Sequence, residues 1–369
     1  MRIGYVNPEY GARRMIINKS PAHEYVRVRS FKSLGDKFMS RFRGGLHPYY
    51  FIGGVAEDLK KVNLYHFWNN IALWPCRTPY VTSFESELPR KFPEGDLLKR
   101  GIESLLSSQC RKTLAFSQYA KNVGLAYADS RGFGEISAKC DVLLPPQDIL
   151  VGNLKDGAEV NLESAVRFIF VGKDFFRKGG SEIVRALVCA RKDVQIEAWL
   201  IGDFDHVDYA SSWRVDSADE MRRIFADNKP WLHHIRAIPN AEMLSLAKTC
   251  HIGLLPTRHD TFGYSVLEFQ ACGLPCITTD VCSLPEVNND DIGWLVNVSR
   301  STHGVSTDEA IRELSISIQN GLTDIIRKAA GDPEAIMKKR RLALENLKVN
   351  HDPVRYGEKL DKIYMEALG

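Results

Sequence analysis

The fold of this chain is decided by the stretch His251–Val287, which reads HIGLLPTRHDTFGYSVLEFQACGLPCITTDVCSLPEV. Its first apolar run, Ile252–Leu255, ends at a proline and predicts a buried strand. After a polar loop, apolar residues recur at helical spacing from Gly263 to Gly273, and glycine is common just past a helix end. A second apolar run, Pro275–Thr278, predicts another strand. The stretch therefore predicts a strand–loop–helix–strand unit, which is typical of a parallel sheet.

Two carboxylates mark this unit, Asp260 in the loop and Glu268 in the predicted helix. The loop and the helix N-terminus offer backbone N–H groups and the positive end of a helix dipole, which suit a phosphate. Glu268 could accept hydrogen bonds from paired hydroxyls such as a ribose diol. Taken alone, each carboxylate also has a plainer interpretation, Asp260 as a helix cap and Glu268 as a solvated helix residue.

The whole pattern points to a known family. The spacing Asp260-x7-Glu268, with Phe262-Gly263 and Gly273-Leu274-Pro275 around it, resembles the acidic-x7-Glu signature of family 4 retaining glycosyltransferases. Leu284-Pro285-Glu286 matches a further part of that signature. The resemblance implies an α/β architecture, the GT-B fold, in which two Rossmann-like doubly wound domains face a cleft. It implies transfer of a hexosyl group from a nucleoside-diphosphate sugar to a hydroxyl acceptor, with retention of configuration and with neither a metal nor another cofactor.

The same resemblance assigns roles to individual residues. Asp260 is expected to contact the donor sugar, although its side chain is one methylene shorter than the family's usual glutamate. Glu268 is expected to bind the ribose hydroxyls. The loop residues Phe262, Gly263 and Tyr264 are expected to direct N–H groups at the donor phosphates.

A glycine-rich loop with basic residues follows the predicted strand Val166–Val171. Gly172, Lys173 and Lys178 stand where the family has Gly-Arg-x4-Lys-Gly, whose basic residues hold the donor phosphates. A lysine at 173 keeps the charge of arginine but loses its bidentate fork, which Arg177 is placed to supply. Lys173 and Lys178 are therefore catalytic candidates, because they would neutralise charge that develops on the leaving phosphate. An ordinary basic strand–helix loop is the alternative interpretation.

Weaker signals concern the nucleotide base and the acceptor. Ile238 occupies the place where the family's backbone meets the base. Gly11 stands near the position of the family's Gly-Gly loop beside the donor phosphate, and an ordinary turn glycine explains it equally well. The family's histidine after the strand at Pro79–Thr82 is missing, so His66 and Glu85 are the candidates for the acceptor side. His66 has the alternative role of satisfying local backbone groups.

The length of 369 residues suits two domains. Residues 1–150 are predicted to form an N-terminal acceptor-binding Rossmann-like domain, 151–163 a linker, 164–350 a C-terminal nucleotide-sugar-binding Rossmann-like domain, and 351–369 a C-terminal helix that crosses back to the N-terminal domain. Further predicted strands are Arg2–Val6, Leu64–Phe67, Tyr80–Thr82, Thr113–Ser117, Asp141–Leu144, Ile196–Ile201 and Ile235–Ile238. Predicted helices are Asp96–Ser108, Gly180–Cys189, Ser217–Ala226, Glu242–Cys250, Asp308–Leu347 and His351–Leu368, and Asn7–Arg14 is predicted to be a polar loop.

Composition and charge limit the compartment and the partners. The chain has no secretory pattern, no apolar run of about 18 residues and no zinc-type spacing among its eight cysteines, so a reduced, cytoplasmic location is predicted. The overall net charge is +3, yet the first 50 residues carry ten basic and three acidic residues. This excess indicates either a solvated or substrate-contacting surface, or peripheral contact with the inner membrane face. No nucleic-acid motif accompanies it, so nucleic acid is not a predicted partner.

The expected partners are a nucleotide sugar and a glycan or glycolipid acceptor, in polysaccharide or glycolipid synthesis. Two other functions remain open at the level of the sequence. One is a glycan phosphorylase or a nucleotide-sugar epimerase on the same fold. The other is a non-catalytic nucleotide-sugar-binding subunit, which the aspartate at 260 and the missing histidine would suit.

Overall fold

The chain forms two compact units, Met1–Pro146 with Asn350–Gly369, and Gln147–Val349. They are seen in a computed structural model that describes residues 1–6, 8–28, 50–51, 61–73, 77–90, 95–152, 164–206, 216–298 and 307–369. Most of the predicted linker, and the basic residues Arg29 to Arg43, lie outside the described residues. No helix in these ranges is both long enough and apolar enough to span a membrane.

The first unit is built on a parallel sheet. Its elements are β1 (Arg2–Tyr5), α1 (Tyr10–Met15), β2 (Glu24–Arg27), β3 (Tyr50–Phe51), β4 (Leu64–Trp68), β5 (Ile71–Ala72), β6 (Tyr80–Phe84), α2 (Asp96–Leu106), β7 (Cys110–Ala115), α3 (Gln118–Ser130), a 3-10 helix at Gly134–Lys139, and β8 (Cys140–Val142). Six strands form one sheet in the order β2-β1-β4-β6-β7-β8, and β3 pairs with β5 separately. All five residues of β6 are buried, as in a sheet covered on both faces.

The first unit differs from the predictions at several points, and α3, β3, β5 and the 3-10 helix were not predicted. The segment Asn7–Arg14 was predicted to be a loop, but the helix α1 begins at Tyr10 and buries Gly11, Ala12 and Met15. The predicted strand Thr113–Ser117 runs too far, because the Ser117 side chain accepts a bond from the Ala120 N–H at 3.0 Å and caps α3. Strand β2 was missed because three of its four residues are only partly buried or exposed, so no apolar run marks it.

The second unit has a parallel six-stranded sheet of the Rossmann type. Its elements are β9 (Val166–Asp174), α4 (Gly180–Ala190), β10 (Ile196–Asp203), α5 (Ala218–Asp227), β11 (Leu232–Ile235), α6 (Asn240–Ala247), β12 (Ile252–Leu255), α7 (Tyr264–Ala271), β13 (Cys276–Thr279), α8 (Leu284–Val287), β14 (Trp294–Val296), α9 (Asp308–Ala330) and α10 (Pro333–Asn350). The strand order is β11-β10-β9-β12-β13-β14. From β9 to β11 the strands are added toward one edge of the sheet, and from β12 to β14 toward the other. Ligands of such sheets bind at the carboxyl ends of the strands where this order reverses, here between β9 and β12.

Apolar runs explain the core of this unit. Phe168, Phe170 and Leu254 are fully buried on β9 and β12, as the continuous apolar pattern required. The strand predicted at Ile235–Ile238 lies three residues earlier, at Leu232–Ile235. The single helix predicted over Asp308–Leu347 is two helices, because the chain breaks after Ala330 and Pro333 starts the next helix, where its missing N–H costs nothing.

The last helix, α11 (Pro353–Leu368), belongs to the first unit. Tyr356 donates its hydroxyl proton to the Met15 carbonyl at 2.5 Å, and the Tyr364 hydroxyl lies 2.7 Å from the His66 ring. Gly357 allows close contact, because a Cβ there would lie 2.9 Å from the Lys19 carbonyl oxygen. One face of the helix is therefore packed into the core of the first unit, and the other face is exposed.

Candidate functional site

Two loops meet at the switch point of the second sheet. The basic loop (Phe175–Gly179) follows β9, and the acidic loop (Pro256–Gly263) follows β12. Gly179 has a φ of +85°, and a Cβ there would overlap the Pro256 carbonyl oxygen. Glycine is required at 179 for both reasons, since it permits a left-handed backbone and the close approach of the two loops.

An ion pair joins the loops at this point. The Lys178 ammonium bonds to Asp260 Oδ2, and these side chains are only 18% and 12% exposed. The Phe262 N–H donates to Asp260 Oδ1 at 3.3 Å. Burial opposes ionisation of Asp260, but Lys178, the Phe262 N–H and Arg177 outweigh it and hold the pKa of the carboxyl below its usual value. Gly172 leaves room for the lysine, because a Cβ there would lie 2.9 Å from Lys178 Cβ.

Arg177 connects the two loops rather than pointing away from them. Its guanidinium pairs with Asp174 and donates to the His259 carbonyl at 3.1 Å. The sequence offered Arg177 as a phosphate fork, but in this structure the fork is engaged by protein groups. Lys173 is exposed near the end of β9. Of the two predicted cations it is therefore the more accessible to solvent.

Side chains on β13 and in the turn after it donate hydrogen bonds to carbonyl groups of the acidic loop. The Thr279 hydroxyl donates to the Thr257 carbonyl at 2.6 Å, and the Ser283 hydroxyl donates to the Thr261 carbonyl at 2.5 Å. The Thr257 hydroxyl in turn donates to the Arg177 carbonyl at 3.2 Å. Because consecutive parts of the loop are bonded, it is organised before any ligand binds.

Helix α7 places the remaining donor-binding candidates. Gly263 has a φ of +83° just before the helix, and a Cβ there would lie 2.6 Å from Leu284 Cδ2. The helix starts at Tyr264, and the N–H groups of a first helical turn point toward the N-terminal end of the helix; of these, the Val266 N–H donates to the Gly263 carbonyl at 2.9 Å. The Phe262 ring is 1% exposed and belongs to the core, and its N–H is engaged by Asp260 Oδ1, so the predicted donor contact of Phe262 stays a prediction. Glu268 is half-buried on the same helix.

The base-side candidate Ile238 lies in the loop between β11 and α6 and is half-buried. In the same loop, Arg236 donates to Asp203 Oδ2 at 3.2 Å, at the carboxyl end of β10. His234, at the adjoining end of β11, stacks on Phe204 with ring centroids 3.9 Å apart. Its ring nitrogen bonds the Gly202 carbonyl at 2.8 Å, and burial lowers the pKa of His234.

Two candidate residues of the first unit, Gly11 and His66, are in close contact with other residues of that unit. Gly11 packs against the Trp68 indole, and a Cβ at this position would overlap the ring. Packing against Trp68 is therefore enough to explain why the residue is a glycine. His66 is fully buried, with Nδ1 2.7 Å from the Tyr364 hydroxyl and Nε2 2.8 Å from the Ser83 hydroxyl. Burial lowers the pKa of His66 to about 3. Both ring nitrogens are engaged within the protein, by side chains rather than by the local backbone. This favours a structural role for His66, and its acceptor-side role stays a prediction without support.

Glu85, at the end of β6, is half-buried and pairs with Arg90. Asn69 Nδ2 also donates to Glu85 Oε1 at 3.1 Å. The carboxylate is thus held by two neighbours within the first unit, and its predicted polar role toward an acceptor stays a prediction.

Sequence reasoning passed over two charged residues that contact these loops, Glu182 on α4 and Arg258 in the acidic loop. They form an ion pair whose side chains are 0% and 3% exposed. The sequence did contain a signal for Glu182, because it is a carboxylate within the mostly apolar helix GSEIVRALVCA, which is buried on most of its surface. His259 was also missed; its hydrogen bond with Cys282 raises the pKa of the imidazole although burial opposes this.

No group of three or more His, Cys, Asp or Glu side chains that could hold a metal ion exists among the residues that the structure describes.

Comparison with known proteins finds a family match that lies within the second unit. Residues 158–314 match the family model Glycosyl transferases group 1. A segment of 75 residues is 41% identical to N-acetyl-alpha-D-glucosaminyl L-malate synthase of Bacillus anthracis and covers 20% of this chain and 18% of that protein. A segment of 200 residues is 24% identical to glycogen synthase of Mycobacterium tuberculosis and covers 54% of this chain and 42% of that protein. The matches thus span less than half the length of these curated relatives.

Among solved structures, Anabaena HepE in complex with UDP has a TM-score of 0.64 at 15% identity, over 99% of this chain and 100% of that chain. The same protein has also been solved with UDP-glucose. Both units of the present chain have Rossmann-like parallel sheets, and the chain has the GT-B fold. The fold prediction is confirmed.

Proposed function

We propose that this protein is a family 4 retaining glycosyltransferase that moves a hexosyl group from a nucleoside-diphosphate sugar to a hydroxyl acceptor. The observation that carries the proposal is the pairing of Lys178 with Asp260 at the carboxyl ends of β9 and β12. The two residues come from the two separate motifs of the resemblance, 82 positions apart, and the fold brings them into contact. The match of residues 158–314 to the group 1 family model supports the same conclusion.

The roles follow from charge and position. Lys173 and Lys178 neutralise the donor diphosphate, and the N–H groups of Gly263 and Tyr264 add hydrogen bonds to it. As the bond between sugar and phosphate breaks, negative charge grows on the leaving phosphate oxygen, and fixed cations stabilise that charge without rearranging. Asp260 orients the sugar, and Glu268 accepts hydrogen bonds from the ribose hydroxyls. None of these roles calls for a metal or another cofactor.

Uridine nucleotides are the first donors to test, because a protein of the same fold has been solved with UDP and with UDP-glucose. A glycan or glycolipid is the proposed acceptor class. The basic N-terminal region would favour an anionic acceptor or an anionic membrane surface. Co-sedimentation with anionic vesicles, lost at high salt and absent with neutral vesicles, would support the membrane contact.

The proposal is tested by a thermal-shift screen with UDP, GDP, ADP and dTDP, followed by hydrolysis of the matching sugar donor. A ligand that binds only the folded state stabilises it, by about 2.7 kcal/mol at a hundred times its Kd. Lys173→Ala should reduce this shift, whereas Lys192→Ala should not, because Lys192 is exposed in the turn between α4 and β10, at the other end of the sheet. No shift with any nucleotide from a folded sample would contradict the proposal. Retention would be checked from the anomeric configuration of the product.

A further inference from the structure

A second ion pair joins the same two structural segments beneath the first. The Arg258 guanidinium of the acidic loop bonds to the Glu182 carboxylate in the first turn of α4. The Ser315 hydroxyl of α9 also donates to Glu182 Oε1, at 2.6 Å, and the Ser181 hydroxyl donates to Oε2 at 3.1 Å. The carboxylate is therefore fully surrounded by donors.

The two pairs have opposite polarity. In the outer pair the cation, Lys178, precedes α4 and the anion, Asp260, lies in the acidic loop. In the inner pair the anion, Glu182, lies on α4 and the cation, Arg258, lies in the acidic loop. In these two pairs each segment contributes one charge of each sign, so the segments attract one another at two points.

The pairs differ in their access to solvent. The side chains of the outer pair are 18% and 12% exposed, and those of the inner pair are 3% and 0% exposed. Because the Lys178 side chain is only 18% exposed and already bonded to Asp260, we expect a donor diphosphate to compete with Asp260 and to loosen the outer pair. The inner pair is out of reach of a ligand and stays closed. The Arg258 N–H, which donates to the Arg177 carbonyl at 3.3 Å, adds a backbone link beside it.

Burying two charges gains little stability over an apolar pair of similar size, because desolvation offsets the attraction. A role in fixing geometry explains the inner pair better. We propose that Glu182 and Arg258 are positioning residues that keep Asp260 and Lys178 in register while the donor separates them. This inference rests on the proposed glycosyltransferase function and concerns the same site.

The test is the double variant E182Q/R258M, which removes both buried charges and leaves neither unpaired. Misplacement of reacting groups by about 1 Å can cost about 100-fold in rate, so we expect kcat for donor hydrolysis or transfer to fall by about 10- to 100-fold. UDP affinity, measured by calorimetry, should change by less than about threefold, because the cations that bind the diphosphate remain. A purely structural role would lower Tm without changing kcat per folded molecule. Wild-type kcat in the folded variant would overturn the proposal.

A milder pair of variants decides the matter if the double variant does not fold. Ser315→Ala removes one bond to Glu182 and leaves the ion pair in place. Thr323→Val is its matched control, because Thr323 lies buried on the same helix but donates only to the Gln319 carbonyl, at 2.8 Å. We expect Ser315→Ala to lower kcat by about two- to fivefold relative to Thr323→Val, as for one weakened support of a catalytic group. Equal kcat values would overturn the proposal.

The outcomes separate this inference from the function on which it rests. If the wild-type protein binds and hydrolyses no nucleotide sugar, the proposed function fails. If the wild type is active and the variants keep its kcat, only the positioning role fails.

Discussion

Replacing Asp260 by asparagine should strengthen the binding of UDP while it slows the reaction. In this structure Asp260 holds the ammonium of Lys178, and both side chains are largely shielded from water. A diphosphate that takes over the lysine must break this bond, and it must also tolerate the charge of a nearby carboxylate. Asparagine weakens the bond to the lysine, removes the negative charge and leaves the shape of the side chain almost unchanged.

The magnitude follows from the contacts. A hydrogen bond between charged groups contributes about 1.5–3 kcal/mol. The amide of asparagine still offers the lysine an uncharged acceptor, so we expect about 1–2 kcal/mol of that to reappear as binding free energy. This corresponds to a Kd for UDP that is lower by about 5- to 30-fold. Turnover should fall, because the group that orients the donor sugar has lost its charge.

The assay is isothermal titration of UDP into the wild type, Asp260→Asn and Asp260→Glu. The glutamate variant is the matched control, because it keeps the competing charge and should leave UDP affinity close to that of the wild type. Weaker binding of UDP to Asp260→Asn would refute the reasoning, since Asp260 would then assist the diphosphate rather than compete with it.

Three further outcomes are expected. Glu268→Gln should weaken nucleotide binding by about 1–3 kcal/mol in calorimetry, as for one lost charge-assisted hydrogen bond; unchanged affinity would remove Glu268 from the ribose site. Lys178→Ala should lower kcat more than it weakens UDP binding, because Asp260 already engages the lysine before the donor binds; an effect confined to KM would argue against it. Gly179→Ala should destabilise the protein by at least about 1–3 kcal/mol in thermal unfolding, since its φ is +85°, whereas Gly331→Ala, with a φ of −88° and its nearest neighbour at 3.5 Å, should be almost neutral.

The ion pair also predicts how stability depends on pH. The pKa of the Asp260 carboxyl is lowered in the folded protein, so the unfolded chain binds a proton more readily. The contribution of Asp260 to stability is therefore complete above the unfolded pKa of about 3.9 and is lost as the pH falls through the lower folded value. Thermal unfolding of the wild type and Asp260→Asn should differ at pH 7 and converge in acid. A gap that stays constant down to acid would contradict this linkage.

Apolar periodicity predicted most of the second unit because its strands are buried on both faces. The strand Ile252–Leu255 was predicted with the bounds that the structure shows, and α7 starts directly after Gly263 as expected. In the first unit the same method missed β2, whose residues are mostly half-exposed. It also extended the strand to Ser117, because a capping serine and a strand end look alike in one sequence.

The candidate site shows a similar boundary. Resemblance to two family motifs selected Lys178 and Asp260, but their mutual bond depends on side chains that lie 82 residues apart. Gly11 shows the opposite case. A glycine that makes room for a phosphate and a glycine that makes room for the Trp68 ring cannot be told apart in one sequence. Glu182 was passed over because its partner, Arg258, is visible only after the strands β9 and β12 are placed side by side.

The position of α11 has a consequence for how the protein is made. During synthesis the second unit, Gln147–Val349, leaves the ribosome complete, while the first unit still lacks Asn350–Gly369. Until those residues emerge, His66 has no Tyr364 hydroxyl and the Met15 carbonyl has no Tyr356 hydroxyl. Domains commonly fold in the order of synthesis. Here the first unit contains the residues synthesised first and also those synthesised last, so it is completed after the second unit. Nascent chains arrested when Val349 has left the ribosome, but Asn350–Gly369 has not, should therefore show the second unit protected from protease and the first unit unprotected.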